Sequence, residues 1–226
     1  MTRVVGFDVF GTLCDPAALA PYFTPWSDAG AQIVAHWRRT QVEYVLRRSA
    51  MQRYVDFAQL TAQALRTTLA EFQLYLTPAQ QQELCHAWQH LPLHPQALEA
   101  LTLLASHGWQ CWLCSNATTA QLQAVAEYHQ LTPHLHGIWS VDRIRTYKPH
   151  PEVYQQFARA CGVARTECWL ISHNAWDALG AVNAGIKAVH IKPPERASES
   201  WEFCADVSVP DLRTAAHYLI ANAHAL

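Results

Sequence analysis

Hydrophobic residues fall into short, dense runs separated by stretches of helical periodicity. Runs bounded by turn residues occur at 3–9, 109–114, 136–140, 168–172 and 187–191. Runs that are continuous rather than alternating predict strands buried on both faces. Between them, apolar positions recur at helical spacing over 96–106, 118–130, 151–161 and 176–184. Short buried strands alternating with helices predict an α/β fold, with a doubly wound parallel sheet forming a Rossmann-like core. The tail "CADVSVPDL" followed by "RTAAHYLIANA" predicts a last short strand and a closing helix.

The interval 15–93 breaks this rhythm. It is helical and strandless, punctuated by prolines at 16, 21, 25, 78 and 92. It predicts a helical cap inserted just after the first strand. The core domain then takes residues 1–14 and 94–226, and the cap 15–93.

Composition narrows the function classes. Half of the 226 residues are hydrophobic, enough for one sizeable core with an insert. Only 15% are charged, and the net charge is −2, with a pI near 6.7. That balance gives no footprint for nucleic acid or an anionic membrane surface. "RVVGFDVFG" lacks the apolar region and cleavage site of a secretory leader, and no run approaches the length of a membrane span. Seven scattered cysteines in a chain of this size are expected to be reduced, which implies a cytoplasmic location.

Two patterns invite a metal or redox reading. "CWLC" at 111–114 lies in an expected strand, where residues i and i+3 point to opposite faces, so Cys111 and Cys114 are not placed to share a bond or a metal. His86 and His90 have helical metal spacing, but no third ligand stands beside them, and they read as surface histidines.

Polar residues collect at the carboxyl ends of four expected strands, the edge where α/β sheets bind ligands. The first run ends in Asp8, with Thr12 in the turn. The second ends in Ser115 and Asn116, and Asn116 is also placed to cap the next helix. Lys148 lies between a strand and a helix, and the fourth run leads into Ser172, Asn174 and Asp177. Each alone is an ordinary cap or turn residue; together at one edge they point to a site. In the insert, Val34, Arg38, Val42 and Val45 share one stripe of a helix near 31–48, so Arg38 faces inward. Its neighbour Arg39 lies about 100° round the helix. It stands four residues before Glu43, the spacing of a surface ion pair.

These residues carry a family resemblance. "FDVFGTL", "CSNAT", "YKPHPEVY" and "SHNAWDALGA" resemble, in order, the four motifs of the haloacid dehalogenase superfamily. "HWRRTQVEYVLRRSAMQRYVDF" is similar to the cap-helix signature of its 2-haloacid dehalogenases, in particular those acting on L substrates. The resemblance implies that Asp8 is a nucleophile that displaces halide from a short 2-haloalkanoate and forms an aspartyl ester. Arg38 and Asn116 would cradle the departing halide, and Ser115 would bind the substrate carboxylate. Thr12 belongs to the first motif. Lys148 would sit between Asp8 and Asp177 and keep Asp8 ionised. The spacing of Tyr154 makes it core, whereas the resemblance brings its hydroxyl to the site. Asp177, assisted by Asn174 and Ser172, would activate the hydrolytic water. Phe10, Val42, Phe57 and Trp176 would line the pocket. A homodimer through the cap is also implied, although the spacing shows no sign of it.

Departures from the phosphoryl-transferring majority of that superfamily are informative. Their second aspartate, two residues after the nucleophile, is replaced by Phe10, and their first metal-binding acid in the fourth motif by His173. Hard cations want oxygen ligands, so this is a poor Mg²⁺ cage, and no cofactor is expected. The familiar dehalogenases carry tyrosine and serine at these two places. A histidine at 173 would tighten the pocket or add a donor, which suits a smaller halide. The rival readings are a sibling hydrolase using the same ester on another carbon electrophile, a Mg²⁺-dependent phosphatase, and a binding protein that has kept the fold.

Overall fold

The first apolar run forms β1 (Arg3–Phe7), one of the two central strands in a computed structural model that describes residues 2–195, 197 and 199–223. Residues 1 and 224–226, the ends of the expected core, lie outside the described residues. The other strands are β2 (Trp109–Ser115), β3 (Gly137–Ser140), β4 (Cys168–Ser172), β5 (Lys187–Ile191) and β6 (Val207–Val209). Their order is β3-β2-β1-β4-β5-β6, and every pair is parallel. The chain winds outward from β1 in both directions, so the order reverses beside β1, and the crevice of a doubly wound sheet opens there. Val4, Val5, Phe7, Leu113, Leu170 and Ile171 are fully buried, as strands covered on both faces require.

Helices α4 (Ala97–Ser106), α5 (Thr119–Tyr128), α6 (Pro151–Ala160), α7 (Ala175–Asn183) and α8 (Leu212–Ala221) flank the sheet. α4 packs on α8, and α6 on α7. The cap of α5 differs from expectation. Thr118, not Asn116, accepts from Gln121 N–H, and the Gln121 side chain answers to Thr118 N–H. This reciprocal pair satisfies two helix-end donors and leaves Asn116 for other work.

The interval between β1 and α4 holds α1 (Gly30–Met51), α2 (Phe57–Glu71) and α3 (Pro78–Ala87), with 3₁₀ turns at 16–23 and 88–90. The chain leaves and rejoins the sheet side by side. Asp15 N–H donates to Pro92 O at 3.0 Å, and His94 N–H to Leu13 O at 2.7 Å. On α1, Ile33, Val34, Trp37, Gln41 and Val45 are buried and Arg39 is exposed. Glu43 pairs with Arg47 at 3.0 Å rather than with Arg39. His86 and His90 are exposed, their rings 4.9 Å apart, and no three metal-ligating side chains cluster among the described residues. All seven cysteines are free, and no described helix is long and apolar enough to cross a membrane.

Candidate active site

β1 ends at Phe7, and the next residue, Asp8, still donates its N–H to Ile171 O of β4 at 3.0 Å. The chain then turns sharply. Gly11 adopts φ +94°, a conformation costly for any side-chain-bearing residue, and Thr12, Leu13 and Cys14 all donate to Val9 O. This turn folds Thr12 back so that its Oγ1 donates to Asp8 Oδ2 at 2.9 Å. Thr12 Oγ1 in turn accepts from His173 N–H at 3.0 Å, which ties the turn after β1 to the turn after β4. Asn174 Nδ2 donates to the same Asp8 Oδ2 at 2.8 Å, and Ser172 Oγ accepts from Asn174 N–H at 3.2 Å. Ser172 therefore fixes the backbone that aims Asn174 at Asp8, rather than helping Asp177 directly.

Lys148 is fully buried and uses all three ammonium donors. Its Nζ lies 2.7 Å from Cys114 O, 3.0 Å from Asp177 Oδ2 and 3.3 Å from Asp8 Oδ1. Burial alone would pull this ammonium down, but Asp177 and Asp8 outweigh it and hold the group charged well above the ordinary lysine range. Asp177 is also fully buried. Its second oxygen, Oδ1, accepts from Tyr154 Oη at 2.7 Å. Burial pushes its carboxyl above the usual carboxylate range, against the pull of Lys148. Tyr154 is thus both core and site, and burial, with Asp177 beside it, keeps its hydroxyl protonated. Gly180 makes room for this contact: a Cβ there would lie 2.7 Å from Tyr154 Oη and 2.5 Å from Pro149 Cβ.

Above Asp8 lies a small, nearly closed cavity of about 10 Å³. Asp8, Phe10, Ser115, Asn116 and Trp176 line it from the sheet side. Arg38, Val42 and Val45 of α1 and Phe57 of α2 line it from the insert. Arg38 is the cation of this cavity. Its guanidinium donates to Phe10 O at 2.9 Å and reaches Gln41 Oε1 at 3.4 Å. Burial draws it below its usual range while Asp8 and Asp177 draw it back, and guanidinium stays protonated at any working pH. Asn116 Oδ1 accepts from Lys148 N–H at 2.9 Å, which leaves its amide N–H groups for the cavity. Ser115 Oγ accepts from Ala117 N–H at 3.2 Å, holding the turn in which the main-chain donors lie.

Phe10 forms the apolar wall. Its ring lies parallel to Phe57 at 6.0 Å and edge-on to Trp88 at 5.3 Å, and Trp88 meets Trp37 at 5.3 Å. His173 lines a second cavity with Gly11, Thr12 and His94, its ring 6.4 Å from that of His94, and the residues lining the cavity above Asp8 do not include it.

Trp88 and Gln41 have no place in the motif reading. Gln41, fully buried, bridges Arg38 to Thr61 Oγ1 at 2.9 Å. Its position three residues after Arg38 on the same helical face was the available signal. Trp88 lies far along the chain and gave none.

Known proteins resemble this chain along most of its length. The family model of haloacid dehalogenase-like hydrolases matches residues 2–185. The chain is 32% identical over 210 residues to an (S)-2-haloacid dehalogenase of Pseudomonas sp. (strain YL), spanning 92% of this chain and 90% of that one. It is 34% identical over 198 residues to (S)-2-haloacid dehalogenase 4A of Burkholderia cepacia, spanning 85% and 86%. The structure of L-2-haloacid dehalogenase from Xanthobacter autotrophicus with chloropropionic acid covalently bound superposes with a TM-score of 0.91 at 27% identity, covering 98% and 99% of the two chains.

Proposed function

The chain belongs to the haloacid dehalogenase-like hydrolases, and within them we propose that it hydrolyses short 2-haloalkanoic acids of S configuration to 2-hydroxy acids. The observation that carries this reading is a lone carboxylate, Asp8, under a small apolar cavity whose cation is Arg38. An aspartate facing an sp³ carbon can displace halide without a general acid, because halide leaves as a stable anion. Phosphoryl transfer needs the opposite equipment, a metal and acids to offset phosphate charge. Here Phe10 takes the place of one acid. The cation between Asp8 and Asp177 is already Lys148 Nζ, at 3.3 and 3.0 Å.

Ser115 and the main-chain N–H groups beside it hold the substrate carboxylate, and Phe10, Val42, Phe57 and Trp176 enclose the carbon chain. An Asp8 oxygen attacks C2 opposite the halide. The C–X bond breaks as the C–O bond forms, C2 inverts, and X⁻ departs toward Arg38 and Asn116. Charge developing on the halide meets a guanidinium held in a buried cavity, where such stabilisation is large. Water then attacks the carbonyl carbon of the Asp8 ester. The 2-hydroxy acid leaves with an Asp8 oxygen, the carboxylate is restored with an oxygen from water, and one proton is released. Lys148 offsets the charge of Asp8 in the resting state. Asp177, held by Lys148 and Tyr154, orients the water and takes its proton. The insert serves as a cap over the sheet edge, spanning about residues 15–93. We also place the protein in the cytoplasm, which its free thiols suit, as a homodimer through the cap, where Leu46 and Met51 of α1 are exposed.

The test is halide release from chloroacetate and from each enantiomer of 2-chloropropionate, in EDTA. Release from the S enantiomer, lost in Asp8→Asn, is the expected result. In a single turnover in ¹⁸O-water the label should enter Asp8; label appearing directly in the product would refute the ester.

A further inference from the structure

The cavity above Asp8 is built from two pieces of chain. Its floor comes from the sheet, its roof from α1 and from Phe57 at the start of α2. The depth to which Phe57 descends is set by the α1–α2 loop, residues 52–56, and this loop is fastened to the sheet side at two points. Tyr54 Oη donates a short hydrogen bond to Asp142 Oδ1. Tyr147 Oη donates to Val55 O at 2.5 Å. The two rings lie 4.9 Å apart, and the Arg145 guanidinium stands 5.3 Å from the centre of the Tyr54 ring.

Asp142 is itself fixed. Its Oδ2 accepts from Thr119 N–H at 3.3 Å, at the start of α5, and its N–H donates to Ser140 Oγ at 3.1 Å. Six residues on from Asp142 is Lys148, whose N–H holds Asn116 of the cavity floor. The fastening therefore joins the roof, three residues from Phe57, to the same loop that presents Lys148. Burial and the neighbouring Asp142 raise the Tyr54 hydroxyl far above its ordinary range, so it remains a donor at every working pH.

We propose, resting on the 2-haloacid reading above, that Tyr54 and Asp142 are positioning residues whose hydrogen bond holds Phe57 at the depth that limits the substituent on C2. Neither touches the reacting atoms. A chloroacetate molecule has no substituent to meet Phe57, whereas each added methylene presses on it. Overpacking a closed apolar wall is as unfavourable as leaving it hollow.

Tyr54→Phe removes the hydroxyl and keeps the ring, so the packing on Tyr147 and Arg145 survives. Two readouts test it. Hydrogen exchange of the segment 52–60 should quicken several-fold, since the loop loses one of two tethers. The ratio of kcat/KM for 2-chlorobutyrate to that for chloroacetate should rise by about five-fold or more, with KM for chloroacetate rising and its kcat little changed. Asp142→Asn, whose single amide oxygen cannot serve both Tyr54 and Thr119, should move both readouts the same way, and the double variant should change them by less than the sum of the two, because both substitutions act on one bond. Unchanged exchange and an unchanged ratio in a folded Tyr54→Phe protein would overturn the proposal, as would additive effects in the double variant. If the parent protein releases no halide from any substrate, it is the dehalogenase reading that fails, and the exchange measurement still decides whether the tether exists.

Discussion

Lys148→Met tests the arrangement at its most stressed point. The substitution keeps the length and apolar stem of the side chain and removes only the ammonium. In the folded protein that ammonium has no contact with water and three acceptors within 3.3 Å. With an effective dielectric of about 20, each carboxylate contact is worth about 5 kcal/mol of Coulomb attraction. Burying the ammonium costs several kcal/mol in return. Removing the cation leaves Asp8 and Asp177 as two neighbouring buried carboxylates with nothing between them. Breaking a buried ion pair in this way costs about 3–5 kcal/mol, which in a chain of this size lowers Tm by roughly 6–20 °C.

The pH dependence separates this account from a simple packing defect. Burial already raises Asp177, and without Lys148 it rises further. An acid whose folded pKa lies above its unfolded value contributes most stability below the unfolded pKa, and loses it as pH rises through the folded one. The deficit of Lys148→Met should therefore be smallest near pH 5, where the carboxyl takes up a proton, and largest above pH 7. Differential scanning calorimetry of parent and variant between pH 5 and 8 measures it. Halide release at pH 8 should fall at least about a thousand-fold, since both nucleophile and water-activating acid lose their counter-ion. An equal Tm deficit at pH 5 and pH 8 would show that the ammonium was not compensating these carboxylates.

Arg38→Lys keeps the charge but not the two-armed hold on Phe10 O and Gln41 Oε1; kcat/KM should drop by about a hundred-fold, more for chloro- than for iodo-substrates, because the poorer leaving group depends more on its cradle. Gly180→Ala places a Cβ 2.7 Å from Tyr154 Oη, and loss of the Tyr154–Asp177 bond should lower kcat while KM stays near the parent value; an unaltered kcat would remove Tyr154 from the mechanism. Burial pushes Cys14, Cys111 and Cys114 up to about 12. Their contribution is complete below the ordinary thiol range and is lost as pH rises toward 12. The unfolding free energy from urea titration should therefore fall from pH 8 to 10, by about 1.4 kcal/mol per thiol per pH unit once the unfolded thiols ionise. A flat profile would mean that the thiols are reached by solvent.

The legible parts of the molecule are those written in local pattern. The runs ending at Asp8, Ser115 and Ser172 are strands because continuous apolar stretches have nowhere to sit but inside a covered sheet, and their ends mark the crevice. The inward aim of Arg38 follows from its stripe on α1, and the neighbouring Arg39 is exposed, as its angle on the helix demands. The errors arose where two local options compete. Glu43 has an arginine four residues before and after it, and the side-chain tilt toward the helix N-terminus favours an acid that precedes its base, so Arg47 wins. Asn116 and Thr118 both qualify as the α5 cap. Thr118 has Gln121 three residues on to close the reciprocal pair, and Lys148 N–H claims Asn116 Oδ1.

What remained hidden is long-range. Nothing near Asn174 in sequence distinguishes a bond to Asp177, three residues away, from one to Asp8, which the fold delivers at 2.8 Å. The same holds for His173: no local pattern foretells that its backbone N–H meets Thr12 or that its ring lies 6.4 Å from that of His94. Trp88 against Phe10, and Gln41 between Arg38 and Thr61, join elements that meet only once the insert has folded over the sheet. Such contacts decide how rigidly Asp8 and Arg38 are held, and, on the proposed mechanism, how much of the barrier is met by preorganised charge rather than by rearrangement during the reaction. Motif residues alone are thus a weak guide to rate. On the proposed mechanism, a chain with all four motifs but with Gln41 and Trp88 replaced should keep the reaction and show a lower kcat for halide release; an unchanged kcat would show that these two contacts do not hold the site.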